Sequence, residues 1–416
     1  MNLREIFTVH IINSTCFQEY TLYIFMVVFI IVSYLLFFVP CNWKKKIEFE
    51  YLTGGGINVM NRKASINNLR KNGPKELPPP YPNGWYSILE SFELKRGEVK
   101  NVFALGKQFA VFRTLSSSVY VLDAYCPHLG ANIGTGRVFG DTVECPFHKW
   151  RFRGTDGACV FVPYSSCVPK SSKLQKWTSR EVNDHIFVWY SADPELVPWE
   201  IPALSEIEIE RFVYHGRNEF FVNSHIQEIP ENGADIAHFG AVHDNCFLSG
   251  TELSHKSIFK DVGVHNWQPS WKPTNIKHIA IVTLKHSLVV AEKFNVFQMD
   301  ITGEQIGPSY VHLHLDSPSF GRIKVVQTVT PIAPLIQRVI HRFYAIRILA
   351  PVIKCIIFAE SVMFERDMNM WNHKIFRRRP CLVKEDMMIV SFRNWFEQFY
   401  SENSLTFSEA YENISW

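Results

Sequence analysis

No single sign of charge dominates the 416-residue chain, whose formal net charge is +3. That balance gives no footing for nucleic acid as a partner. No G-x-G-x-x-G turn joins a strand-like run to a helix-like one, so a flavin or nicotinamide held by the chain itself has no fingerprint here. Internal repeats are also missing. The nine cysteines, at positions 16, 41, 126, 145, 159, 167, 246, 355 and 381, are odd in number and scattered, which excludes a disulfide framework. Apart from Cys126 and Cys145 they are expected to be reduced, as suits a catalytic part facing the cytosol.

Aromatic residues, by contrast, reach 14% of the chain, with 33 Phe. A well-filled core with a membrane span accounts for this, as does an apolar substrate cavity. One apolar run is long. Thr21 to Val39 carries no charge, and as a helix it would reach roughly 28 Å, close to the hydrocarbon thickness of a bilayer. The residues after it, Val39-Pro40-Cys41-Asn42-Trp43, offer no small-residue cleavage site, so the run reads as a retained anchor rather than a signal peptide. Lys44, Lys45 and Lys46 follow the span and Arg4 alone precedes it. The positive-inside rule then places the large C-terminal part in the cytosol, and the sequon Asn13-Ser14-Thr15 on the far side.

Residues 1–20 form the outer segment, 21–39 the span and 40–82 a linker. The linker holds Gly54-Gly55-Gly56 and the run Leu77-Pro78-Pro79-Pro80-Tyr81-Pro82, whose prolines favour an extended, semi-rigid spacer.

Residues 111–124, VFRTLSSSVYVLDA, read as two strands joined by a serine turn. Directly behind stand Cys126-Pro127-His128 and, with sixteen residues intervening, Cys145-Pro146-Phe147-His148. Ligand types alone allow a Cys2His2 zinc site. Yet C-x-H is tighter than a zinc knuckle, and each loop mixes one Cys with one His. That suits a cluster in which two Cys hold one iron and two His the other.

Further on, Asp235, His238 and His243 follow the pattern D-x-x-H-x-x-x-x-H. Asp235 and His238 would share a helix face. His243 lies five residues on, about 140° round an ideal helix, so Gly240 is expected to bend the chain between the two histidines. Two His and one carboxylate on one face suit mononuclear Fe(II) with open positions. The carboxylate must come from elsewhere, and Glu360, Glu365 and Asp367 are the candidates that spacing leaves open.

The string CPHLGAN…CPFHKWRFRGTDG resembles the Rieske signature, and residues 83–400 together resemble the α-subunits of Rieske non-haem iron oxygenases. The resemblance implies an α+β chain: an all-β Rieske domain over 83–195, a catalytic domain of helix-flanked antiparallel sheet over 196–400, and a tail over 401–416. It implies a [2Fe–2S] cluster on Cys126, His128, Cys145 and His148, and Fe(II) on His238, His243 and Asp367. It also implies a catalytic role for Asp235, which would link His148 of one chain to His238 of the next in a homotrimer. Respiratory Rieske proteins carry a disulfide pair where this chain has Ala131 and Phe147, so the domain resembles the lower-potential, oxygenase-feeding type. Electrons must come from a separate NAD(P)H-dependent reductase or a ferredoxin. Lys374 with Arg377, Arg378 and Arg379 is either its docking patch or a solvated face.

With its anchor and PPPYPNGWY collar, the chain most resembles the animal Neverland-type cholesterol 7-desaturases, which implies a sterol substrate, O2, and an endoplasmic reticulum membrane. Steroid hydroxylation of the 3-ketosteroid 9α-hydroxylase type is the second reading, and a non-catalytic electron carrier the third. Residues 332–358, apolar but carrying Arg338, His341, Arg342, Arg347 and Lys354 and interrupted by Pro334 and Pro351, are expected to form helix pieces at the membrane surface or a core-packed helical cover.

Overall fold

The computed structural model describes residues 3–44, 77–251, 263–290 and 293–414, with side chains from residue 20 onward except at 247. Lys45, Lys46, the glycine triplet and the remainder of the linker to residue 76 lie outside the described residues, as does the side chain of Asn13.

Helix α1 runs Leu3–Phe37, so the segment expected to lie outside the span continues the same helix. Its Tyr20–Phe37 stretch is long and apolar enough to cross a membrane, and none of it is buried in the protein. The helix ends ahead of Pro40, which cannot continue it. The chain then enters strand β1 (Cys41–Lys44). β1 lies parallel to β13 (Val213–Val222), with Cys41 beside Gly216. The start of the linker is therefore stitched to a sheet. The proline collar is packed as well: Tyr81 is buried, His225 Nε2 meets the Pro79 carbonyl at 3.1 Å, and the Tyr86 hydroxyl donates to Pro82.

The N-terminal all-β part holds β2 (Gly84–Glu90), β3 (Val99–Ala104), β4 (Lys107–Arg113), β5 (Val119–Asp123), β6 (Arg137–Phe139), β7 (Thr142–Glu144), β8 (Arg151–Arg153), β9 (Cys159–Phe161), β10 (Lys176–Trp177), β11 (Ser179–Val182) and β12 (His185–Tyr190). The expected hairpin over 111–124 is β4 and β5. Sheets β10-β5-β4-β3 and β6-β7-β8-β9 carry the two Cys/His loops, and β11-β12-β2 backs onto the rest of the chain.

The second part is one eight-stranded sheet, ordered β1-β13-β19-β18-β17-β16-β15-β14. Its later strands are β14 (Gly263–Pro273), β15 (Ile279–Val290), β16 (Phe294–Ile306), β17 (Tyr310–Ser317), β18 (Gly321–Ala333) and β19 (Ile336–Ala345), all antiparallel. Period-two alternation sends Leu284, Ile301, Leu315, Ile323, Val325 and Phe343 to one face. Against it packs α2, defined here as Ala350–Trp371, through Ile353 and Ile357. On the other face Tyr310, Val326 and Tyr344 pack on Trp85, Phe187 and Trp189 of the first part. The middle strands are thus covered on both sides.

That double covering corrects the expectation for 332–358. Residues Ile336–Ala345 are a central strand, buried almost throughout, not helix pieces. Pro334 sits between β18 and β19 next to Leu335, whose φ is 63°; Pro351 opens α2 at its first turn, where a missing N–H costs nothing. The cations there serve ion pairs. Arg342 Nη1 reaches Glu90 at 2.8 Å and Arg338 reaches Glu219 at 3.0 Å, while Arg217 bridges Glu90 and Glu219. Only the end of the segment meets the anchor: Arg347 Nη1 donates to the Phe37 carbonyl at 3.2 Å and Lys354 Nζ to Leu35 at 2.5 Å. Two cations thus cap the C-terminal carbonyls of α1.

Candidate metal centres

The two Cys/His loops follow one design. Cys126 N–H donates to Ala131 and its carbonyl accepts from Gly130; Cys145 N–H donates to Trp150 and its carbonyl accepts from Lys149. The fifth residue of each loop turns left-handed, Gly130 at φ 73° and Lys149 at φ 61°. A lysine tolerates that strained position here because its ammonium bonds the Pro146 carbonyl at 3.0 Å. The loops bring the His128 and His148 rings to 4.7 Å, with His128 stacked on Trp150 at 4.6 Å.

Cys126 and Cys145 are both buried, at 3% and 1% exposure. Burial, reinforced by Cys145, pushes the Cys126 thiol up to about 11. His128 Nδ1 is buried without a partner. Two neighbouring buried sulfurs, with an orphaned imidazole nitrogen in the same loop, fit a cluster that takes thiolates and neutral imidazoles. All cysteines with described side chains are free thiols.

In the second part, Asp235 is the N-cap of α3, defined here as Ile236–Val242, and its carboxylate accepts from His238 N–H at 3.2 Å. The His238 ring bonds the Asp235 carbonyl at 2.5 Å. Gly240 lies inside this helix without a positive φ. The redirection instead falls at its end, where His243 is the C-cap with φ −112° and ψ 15°. Leaving the helical spiral there lets both rings converge, 5.3 Å apart.

Asp367, on α2, completes the group: its Oδ1 and Oδ2 lie 3.0 and 3.1 Å from His243 Nε2. The ligand atoms of His238, His243 and Asp367 all lie within 4.8 Å of one another, a span that one ion bonded at about 2.0–2.2 Å can draw together. Burial holds His238 below its usual range, with Asp367 pulling the other way; a neutral ring is the form a metal takes. Glu360 is engaged elsewhere, by Asn218 and by His341 Nδ1 at 2.6 Å. Glu365 is not in the group. Glu304, His312 and His314 also come within 4.8 Å of one another, but the Lys324 ammonium is bonded to His314.

Two kinds of residue escaped spacing arguments. Arg366 is buried beside Asp367, and its guanidinium binds the carbonyls of Val242, Asn245, Cys246 and Gly250. It fastens the chain on both sides of His243 to the helix bearing Asp367. An arginine next to a carboxylate carries no sequence mark of burial. Trp267, His265 and His286, brought to this region by strand register, are equally unmarked. Trp267 Nε1 donates to the His243 carbonyl at 3.0 Å.

Residues 84–175 match the family described as Rieske [2Fe-2S] domain, and residues 188–400 match the 3-ketosteroid 9α-hydroxylase C-terminal domain. A Drosophila melanogaster protein named cholesterol 7-desaturase nvd is 50% identical over 395 residues, covering 92% of this chain and 91% of that one. A Xenopus laevis protein of the same name is 44% identical, covering 85% and 80%. Among solved structures, Pseudomonas putida NdmA with caffeine aligns at TM-score 0.59 and 15% identity over 80% of this chain and 93% of that one, a likeness of fold.

Proposed function

Since the chain belongs to the cholesterol 7-desaturase family of Rieske non-haem iron oxygenases, we propose that it converts cholesterol to 7-dehydrocholesterol with O2 and NAD(P)H-derived electrons. One hydrogen leaves C7 and one leaves C8; with two electrons and two protons, O2 becomes two waters. The observation that supports this most is the convergence of His238, His243 and Asp367 where Phe239 packs on Trp267, Leu284 and Ile301 of the sheet.

Cys126, His128, Cys145 and His148 would hold the [2Fe–2S] cluster, and His238, His243 and Asp367 the Fe(II). When bound, these groups supply one-electron storage and O2 activation. The chain supplies the rest. Arg366 and Trp267 hold the histidine segment in place, so the ligand nitrogens need little reorganisation. The buried apolar strands keep water from the reacting carbon. On this reading Asp235, the cap at the helix start, would link His238 to His148 of a neighbouring copy in a homotrimer. The exposed Arg377–Arg379 stretch is the reading for reductase docking. The division at about residue 195 separates an electron-entry domain (83–195) from a catalytic one (196–400).

We also take α1 as a single-pass anchor with the catalytic part cytosolic, in the endoplasmic reticulum. The clasp of Arg347 and Lys354 on the helix end supports an enzyme seated close against the bilayer that holds its substrate. Protease added to sealed microsomes should digest the domain after residue 44; protection would reverse the orientation.

The test is mass spectrometry of sterols after membranes bearing the protein meet cholesterol, NADPH and O2. Loss of two hydrogens supports desaturation. Gain of an oxygen moves the reading to hydroxylation, which the C-terminal domain match favours as second choice. An electron carrier would hold about two irons per chain rather than about three and leave sterols unchanged.

A further inference from the structure

His265 and His286 stand on adjacent strands β14 and β15, and His265 Nδ1 lies 2.6 Å from His286 Nε2. Both face the side of the sheet that carries the apolar wall: His286 pairs with Trp267 across one register step and with Met299 across the next. Both outer nitrogens, His265 Nε2 and His286 Nδ1, are buried; His265 Nε2 has no hydrogen-bond partner, while His286 meets the Phe297 backbone. A buried polar atom left unpaired is costly, so the orphaned His265 Nε2 calls for a ligand. The dyad also borders the candidate iron site. His265 N–H donates to the Asp244 carbonyl at 2.7 Å, one residue beyond His243. Its ring stacks on Trp267, 5.3 Å away, and Trp267 bonds the His243 carbonyl.

Resting on the sterol reading above, we infer that the His265–His286 dyad binds the 3β-hydroxyl of the sterol, with His265 Nε2 as the contacting atom. A sterol nucleus has one polar group, and only four bonds separate C3 from C7. The hydroxyl therefore ends up beside the metal ligands whenever C7 does, and its partner must lie there. Two rings sharing one hydrogen bond carry one proton between them, so the outer nitrogens are one donor and one acceptor. A hydroxyl both donates and accepts, so it satisfies His265 Nε2 in either tautomer. Burial pushes His265 to about 3 and His286 to about 4, which keeps the dyad neutral, as a neutral ligand requires.

The full-length holoenzyme is assayed on cholesterol and on cholest-5-ene, which lacks the oxygen. Wild type should lose roughly 10- to 100-fold in kcat/KM on the oxygen-free sterol and spread its products over more carbons, because an unfilled polar site penalises the analogue. His265→Phe should lose a similar factor on cholesterol and almost nothing further on cholest-5-ene, while His265→Gln, which keeps a polar atom near the Nε2 position, recovers most of the activity. Equal turnover of both sterols by wild type overturns the inference. So does a His265→Phe loss of the same size on both, which assigns the dyad to packing alone. Turnover of neither sterol, with iron loaded and the cluster reduced, overturns the sterol reading and the inference with it.

Discussion

His243 Nε2 sits 3.0 Å from one oxygen of Asp367 and 3.1 Å from the other, across 124 residues of chain. A single hydrogen bond needs only one of those oxygens. A carboxylate turned with both edges toward an imidazole nitrogen, with a second imidazole close by, presents the two-His, one-carboxylate face that holds Fe(II).

Asp367→Ala should therefore remove the mononuclear iron and leave the cluster, taking iron from about three to about two per chain. Sterol turnover should fall by more than roughly 100-fold, since even an outer partner of a ligand is worth 10–100-fold. Glu360→Gln separates this from a general acidic requirement. Its carboxylate serves His341 and Asn218, so iron content should hold. Iron analysis with the cluster's electron paramagnetic resonance signal checks both; iron lost from Glu360→Gln and kept in Asp367→Ala would exchange their roles.

The Cys126 thiol, pushed up to about 11 mainly by burial, gives the cluster-free protein an alkaline weakness. A cysteine raised in the folded state favours folding below its unfolded pKa, near 8.5, and that contribution is lost as pH rises toward about 11. Chelated protein should thus lose thermal stability between about pH 9 and 11 relative to cluster-loaded protein, whose thiolates are already ionised by iron. Cys126→Ser should flatten the difference. Unfolding curves at pH 8 and pH 10.5 decide it.

Between the two parts of the chain, Glu90 is fully buried, accepts from Arg342 and is ion-paired with Arg217. Glu90→Gln removes the counter-ion that two guanidinium groups share, leaving Arg217 to Glu219 and Arg342 to Asp184, and breaking a buried pair from one side costs up to about 3–5 kcal/mol. The exposed pair Arg180–Glu200, with its partners 56% and 82% exposed, is the control: Glu200→Gln should change stability by under about 1 kcal/mol. Denaturant unfolding compares them, and equal small effects would mean water reaches Glu90.

The two candidate metal centres could be proposed from the sequence because ligand chemistry restricts residue type and local spacing at once. Cys126 and His128, or His238 and His243, are set by a few turns of backbone that the chain carries with it. The third candidate ligand came only through resemblance, since nothing local ties Asp367 to His243. The strand at Ile336–Ala345 was misread as helix because its cations looked solvated. Arg338 and Arg342 are buried by Glu219 and Glu90, more than a hundred residues away, and such pairing leaves no periodic trace. The same holds for the dyad of His265 and His286, which register alone brings together. The bend expected at Gly240 was placed by composition, whereas the helix simply stops before His243.

Asp235 offers the sharpest separation of a structural from an electronic role. Its side chain caps α3 by accepting the His238 N–H, a duty that Asn performs as well as Asp, whereas Ala forfeits about 1 kcal/mol. Asp235→Asn should therefore keep stability, cluster and iron, yet lose the charge proposed to link His238 to His148 of a neighbouring copy. Turnover should fall by roughly 10- to 100-fold or more. In single turnover, a chemically reduced cluster should stay reduced when substrate and O2 are added, while the wild-type cluster reoxidises. If Asp235→Asn turns over normally and only Asp235→Ala is impaired, the residue is a helix cap and the electron takes another route into the iron site.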